Sequence, residues 1–288
     1  MSALLAAVLA VTIATLAEAP SRWAELGGHR VHYKVLGTGP LTLVFVHGWT
    51  GSLDMWRLQA PEFAAKGFRV IALDLPGHGR SDAPQIAYTM ELFANAVDAV
   101  MRDAGVAQAV LVGHSMGTPI VREFYRRHPD KTRALVSVDG SLRALFKPED
   151  AERILAPYRG AGYTQQLERF ADFMIPADQP ALRAEAKAIM TKTPPHVAIS
   201  AFENMADPAN FREDPIRVPL LCVLATDSHW PADYEAFVRR LAPRSEYRVL
   251  GDGVGHFLML QKPAEFNAIL SGFLEELGKD TDTGTTRP

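Results

Sequence analysis

The sequence predicts an α/β fold, with a mostly parallel, doubly wound sheet and a helical cap inserted between two sheet strands. Three observations lead there. Short, continuous apolar runs recur at 41–46, 69–73, 109–112, 134–138 and 220–224. They are too uniformly apolar for half-exposed strands and suit parallel strands covered on both faces. Segments with helical spacing of apolar residues alternate with these runs. Finally, the stretch from Gly140 to Pro215 contains no convincing core strand and is too long for a plain loop.

The first elements are an antiparallel pair, 22–26 and 29–36, joined at Gly27 and Gly28, which tolerate the positive φ of a hairpin turn. Between the second and third apolar runs, 89–103 reads as a helix burying Leu92, Ala96, Val97, Val100 and Met101, with Gly105 ending it. Helical spacing resumes after Ser115, where Pro119 suits a first turn and Ile120, Val121, Phe124 and Tyr125 share a stripe. A last strand is expected at 247–250.

The cap, at about 141–215, should contain helices at 164–174 and 181–190, broken by Pro176, Pro180, Pro194 and Pro195. Phe146, Phe170, Phe173, Met174, Phe202 and Met205 are expected either to line an apolar pocket beneath it or to pack it onto the sheet.

At 288 residues, 48% hydrophobic and 22% charged, the chain has the composition of an ordinary globular protein. A net charge of −3 without a basic run gives no support for a nucleic-acid partner and favours a small neutral substrate. Cys222 is the sole cysteine, so an internal disulfide is excluded. The nine histidines form no HExxH pair and no calcium loop appears, so neither metal nor cofactor is expected.

Residues 3–17 form an uncharged apolar run, too short to span a bilayer comfortably. Residues 1–20 have the length of a signal peptide, with small residues at Thr15 and Ala17, or Ala17 and Ala19, to mark cleavage. No Lys or Arg precedes the run, and Pro20 follows one cleavage point, so a packed helix or membrane-surface anchor stays open. The expected location is periplasmic or secreted if the segment is a signal peptide, and cytoplasmic otherwise; membrane association is expected only if it is an uncleaved anchor. The main domain is then 21–278, followed by a polar tail at 279–288.

The chemistry is concentrated at Val110-Leu-Val-Gly-His-Ser-Met-Gly117. Ser115 lies between an apolar strand and an amphipathic helix, at the apex of a turn so tight that Gly113 and Gly117 must flank it. Such a turn exposes the hydroxyl and aims the Met116 amide at a developing oxyanion. A second donor is expected from the Trp49 amide in Val46-His-Gly-Trp49, where Gly48 permits close backbone approach. His47 should tie down that loop.

The serine needs an imidazole to take its proton, and His256, in the glycine-flanked Gly253-Val-Gly-His256, follows the last strand. His78, His114, His128 and His196 are read as structural. For the acid orienting the base, both Asp227 and Asp139 end strands and satisfy the order Ser, Asp, His; Asp227 is preferred. Asp233 is read as a helix cap.

With HGW at 47–49, DLPGHGRSD at 74–82, GHSMG at 113–117 and GVGHFLMLQKPAEF at 253–266, the chain resembles the α/β-hydrolase superfamily. Within it the likeness is to capped serine hydrolases: esterases, enol-lactonases, cofactor-free haloperoxidases and carbon–carbon bond hydrolases. The resemblance covers 22–275 and implies Ser115 as nucleophile, His256 as base, and Trp49 and Met116 as oxyanion donors. The family's Gly-x-x-Asp is one residue short here, Ala225-Thr-Asp227, and Asp139 occupies the place where some members carry their acid. Epoxide hydrolases and haloalkane dehalogenases resemble this pattern but attack with an elbow carboxylate, absent here.

Three functions follow as expectations. The first is a carboxylic ester or lactone hydrolase working through an acyl-enzyme on Ser115. The second is a carbon–carbon bond hydrolase of a diketone-like substrate, for which Arg153, Arg159, Arg169 and Arg183 in the cap would position an enolate. The third is a ligand-binding receptor on a hydrolase fold. Trp49 and Trp230 are expected to narrow the entrance.

Overall fold

The computed structural model describes residues 14–145, 147–226 and 230–282. Among them, eight strands form one sheet in the order β1-β2-β4-β3-β5-β6-β7-β8. The strands are β1 (Ser21–Leu26), β2 (His29–Leu36), β3 (Thr42–Val46), β4 (Arg69–Leu73), β5 (Ala109–His114), β6 (Thr132–Val138), β7 (Leu220–Ala225) and β8 (Ser245–Leu250). Antiparallel pairing is confined to β1–β2 and β2–β4; every other pair is parallel. The hairpin between β1 and β2 turns on Gly27 and Gly28, both at positive φ (59° and 84°).

Every residue of β3, β5 and β7 is buried, as their unbroken apolar sequences require. Helix α1 (Ala60–Ala65) packs on β4, while α2 (Met90–Asp103) and α3 (Gly117–Arg127) pack on each other and on β1, β5 and β6. The Thr89 hydroxyl caps α2 by accepting from the Leu92 amide at 3.0 Å.

Between β6 and β7 lie α4 (Pro148–Leu155), α5 (Tyr163–Met174), α6 (Pro180–Met190) and α7 (Pro195–Met205). The cap is more helical than expected, because Pro180 and Pro195 open helices instead of breaking them. A first-turn amide has no intrahelical acceptor, so proline gives up nothing there. After β7 come α8 (Tyr234–Leu241), α9 (Leu258–Gln261) and α10 (Pro263–Asp282), the last packing on β7.

The expected apolar run at 3–17 falls mostly outside the described residues, but its end does not. Leu16 is 1% exposed and belongs to the core, and the Lys34 ammonium donates to the carbonyls of Leu16 and Ala17 at 2.9 and 2.8 Å. Among the described residues no helix is long and apolar enough to cross a membrane. Asp233 stands at the N-terminus of α8, yet its carboxylate takes a two-pronged bond from Arg143 at 2.8 and 3.0 Å and makes no cap. A guanidinium with two parallel donors, held over the Tyr234 and Phe237 rings, competes better for that carboxylate than single amides do.

Candidate active site

Strand β5 ends at His114, and Ser115 follows at φ 53°, a left-handed conformation that a serine adopts only where its surroundings enforce it. Three constraints enforce it here. The Ser115 amide donates to Val138 O of β6 at 3.0 Å, its carbonyl accepts from the Thr118 amide at 2.9 Å, and α3 starts at Gly117. A Cβ on Gly117 would lie 2.5 Å from Val46 O, so the helix can approach β3 this closely only with glycine. Gly48 is equally confined: a Cβ there would stand 2.9 Å from Ser115 Cβ.

His256 lies on the loop after β8, and its ring lines the same cavity as Ser115. Its Nδ1 is 2.7 Å from Asp139 Oδ2. Asp139 directly follows β6 at φ 43°, and its amide donates to Val223 O of β7 at 2.8 Å. The carboxylate is completely buried. Its Oδ1 accepts from the Ala225 amide at 2.8 Å and from the Trp230 indole at 3.2 Å.

This reverses the preference for Asp227, which lies outside the described residues. Strand β6 sits between β5 and β7, so a carboxylate just past its end faces His256 from beside the strand that leads to Ser115. Because Asp139 occupies Nδ1, Nε2 is the nitrogen left to serve Ser115.

Two neighbours hold the histidine loop. His114 Nε2 bonds the His256 carbonyl at 2.9 Å, and Gln261 Oε1 accepts from the Gly255 amide at 2.9 Å. Burial, reinforced by the adjacent His256 imidazole, pushes His114 down to about 3, so it works as a neutral donor. His47 ties down its loop: Nδ1 bonds Gly48 O at 2.8 Å and Nε2 accepts from the Leu75 amide at 3.0 Å. The amides of Trp49 and Met116 have no hydrogen-bond acceptor among the described residues. Buried amides are almost always paired, so two without an acceptor among the described residues are open to an oxygen from a bound molecule.

The cavity at Ser115 is small, ≈ 20 Å³, room for about one water. Gly48, Trp49, Met55, Phe170 and Phe257 wall it together with the three polar residues Ser115, His114 and His256. A larger recess of ≈ 220 Å³, between Ala151, Glu152, Glu203 and Pro208, lies within the cap and contains no nucleophile.

Of the expected pocket residues, Phe170 lines the cavity. Phe202 packs behind Trp49, Met174 and Met205 pack against the core, Phe173 is 83% exposed, and Phe146 is outside the described residues. Trp230 bonds the acid and stacks on Tyr234 at 4.6 Å, a role the sequence reading missed. The cap arginines are engaged elsewhere: Arg153 with Asp150, Arg159 with Glu152 and Glu203, and Arg183 with the Ile175 and Asp172 carbonyls. Arg169 is exposed.

A second Ser–His–Asp set occurs at the sheet edge. Ser21 Oγ is 2.9 Å from His32 Nε2, and His32 Nδ1 is 2.7 Å from Asp74 Oδ2. Here Asp74 also accepts the amides of Leu53 and Arg80 at 2.8 and 3.0 Å, and Ser21 lies in the extended edge strand β1. Burial raises Asp74, but the His32 bond, the nearby His47 and the two amides outweigh it and hold the carboxyl below its ordinary value.

The model of the alpha/beta hydrolase fold family matches residues 42–187, just over half of the chain. The chain belongs to the α/β-hydrolase family. Among solved structures, the chain is similar to Est816, described as an N-acyl homoserine lactone degrading enzyme, with a TM-score of 0.74 and 28% identity over 88% of this chain and all of that one. A thermophilic esterase from Thermogutta terrifontis has the same fold, with a TM-score of 0.81 and 24% identity over 90% of this chain and 99% of that one. Among curated proteins, bifunctional epoxide hydrolase 2 of Rattus norvegicus is 26% identical over 86% of this chain, which spans only 54% of that protein's length.

Proposed function

We propose that this hydrolase cleaves a neutral carboxylic ester or lactone through an acyl-enzyme on Ser115. The observation that carries the reading is the His256–Asp139 pair, whose imidazole shares one cavity wall with a serine at a strained strand-to-helix turn. In this reading Ser115 Oγ attacks the carbonyl carbon as its proton passes to His256 Nε2. Asp139 fixes the tautomer and stabilises the imidazolium. The amides of Trp49 and Met116 receive the oxyanion.

His256 then returns its proton to the departing alcohol oxygen, leaving the acyl group on Ser115. Water then attacks the acyl carbon as His256 takes its proton, and His256 passes that proton to Ser115 Oγ as the acyl–oxygen bond breaks and the acid leaves. With a lactone, the departing alcohol stays attached to the acyl group.

The absence of lysine and arginine among the lining residues supports an uncharged substrate. A serine at the elbow, rather than a carboxylate, separates the chain from the epoxide-opening pattern. The lactone-degrading description of Est816 supports extending the substrate class to lactones.

The test is hydrolysis of p-nitrophenyl acetate and a simple γ-lactone by the wild type and by Ser115→Ala. Turnover that falls by about 10³-fold or more in the variant is expected. Turnover unchanged by the substitution would sink the reading.

A further inference from the structure

The oxyanion loop and the base are both held by the cap. Trp49, 7% exposed, donates its indole N–H to Ala198 O in α7 at 2.7 Å. Its ring meets Tyr158, Phe170 and Phe202, all from the cap, edge-on at 5.5, 5.3 and 5.3 Å. The next residue, Thr50, sits at φ 55°, and its carbonyl accepts from the cap's Thr193 hydroxyl at 3.3 Å. On the opposite wall, the His256 amide donates to Met174 O at the end of α5 at 3.2 Å, and Arg183 secures that end through the Ile175 carbonyl.

Building on the ester-hydrolase reading, we propose that the Trp49 side chain couples cap seating to the alignment of its own backbone amide, and thereby restricts the enzyme to neutral esters with a short acyl group. The physical chain is brief. Indole and amide share one Cα, and because the cap holds both the ring, through Ala198 O, and the adjoining backbone, through the Thr193–Thr50 bond, a shift of the cap pulls on the segment that carries the amide. An oxyanion donor is effective only within about 2.7–3.1 Å of the oxygen it serves. The ≈ 20 Å³ cavity holds about one water, so any acyl group requires some outward movement of Phe170, Trp49 and the cap, and the movement required grows with chain length.

A long chain therefore still binds, because the walls are apolar, but it misaligns the donor on which the transition state depends. Selectivity should consequently appear in kcat and not in KM. A pocket that merely excluded long chains would give the opposite pattern.

The experiment measures kcat and KM separately for p-nitrophenyl acetate, butyrate, hexanoate and octanoate, with wild type, Trp49→Phe and Phe170→Ala. Labelling of Ser115 by a small serine-reactive phosphonate, read by mass spectrometry, reports whether each variant keeps a folded site. The wild type is expected to lose about tenfold or more in kcat from acetate to octanoate with KM level or falling. Phe170→Ala should flatten that series. Trp49→Phe keeps a ring but lacks the N–H, and should lower kcat on acetate about tenfold while KM stays within about twofold.

A length dependence confined to KM, or a Trp49→Phe kcat equal to wild type, overturns the coupling while leaving the ester-hydrolase reading intact. No turnover of any ester together with no labelling of Ser115 overturns both.

Discussion

His256 Nδ1 and Asp139 Oδ2 are 2.7 Å apart across 117 residues of sequence, with the carboxylate wholly buried. Asp139→Asn presents Nδ1 with an amide in place of a carboxylate and removes the charge that favours the imidazolium. A loss of about 10³–10⁴-fold in kcat is expected, against less than about tenfold for Asp227→Asn. Ester hydrolysis by the two purified variants distinguishes them, and the reverse ranking would restore Asp227 as the acid. Trp230→Phe, which takes one donor from Asp139 Oδ1, should cost about tenfold in kcat with KM little changed.

Gly48→Ala should sharply lower activity with little loss of thermal stability. The new methyl would stand 2.9 Å from Ser115 Cβ and 3.1 Å from His114 O, so the strain falls on the nucleophile and the oxyanion loop. A fall in kcat of about 10²-fold or more, alongside a Tm within a few degrees of wild type, is the expected pair of results.

Acid should destabilise the protein before its carboxylates titrate. Burial holds His78 and His114 down at about 3 and also lowers His47. Between about 3 and the ordinary histidine value near 6.5, the unfolded chain binds protons that the folded chain refuses, so stability rises with pH across that window. Each fully neutral histidine contributes at most about 1.4 kcal/mol per pH unit there. Chemical denaturation between pH 4.5 and 7.5 reads the slope, and a flat profile would contradict it.

We propose that residues 14–20 belong to the folded domain. A chain beginning at Glu18 or Pro20, as either small-residue cleavage point would produce, loses the buried Leu16 side chain and both carbonyls that accept from Lys34. Losing Leu16 burial costs about 2 kcal/mol, worth several degrees of Tm. Thermal unfolding of chains starting at Ala14 and at Pro20 measures this, and equal Tm values would make the segment dispensable.

The strands were legible because burial on both faces leaves an apolar run with no alternation, as at β3, β5 and β7. The serine elbow was legible because its glycines answer to steric limits within a few residues. Helices α4 and α7 were harder: Pro195 looks like a breaker until its first-turn position is known. The choice between Asp139 and Asp227 was illegible for a different reason. Chain order permits both, and what favours Asp139 is strand order in the sheet, a long-range property. Trp230 and the Met174 carbonyl are equally remote in sequence from the groups they touch, and a backbone carbonyl has no residue-type signature at all.

The pairing of Ser21 with His32 and Asp74 means that three side chains in the right hydrogen-bonded order do not identify a catalytic centre by themselves. A template built only from serine, histidine and aspartate atoms would return the Ser21 set among the described residues. What divides it from the Ser115 set is backbone. Ser115 is held at φ 53° against a helix start, beside two amides without acceptors, whereas Ser21 lies in an extended strand and the amides near Asp74 already spend their hydrogens on it. The discriminating information is therefore carried by main-chain groups, which leave no signature in residue type.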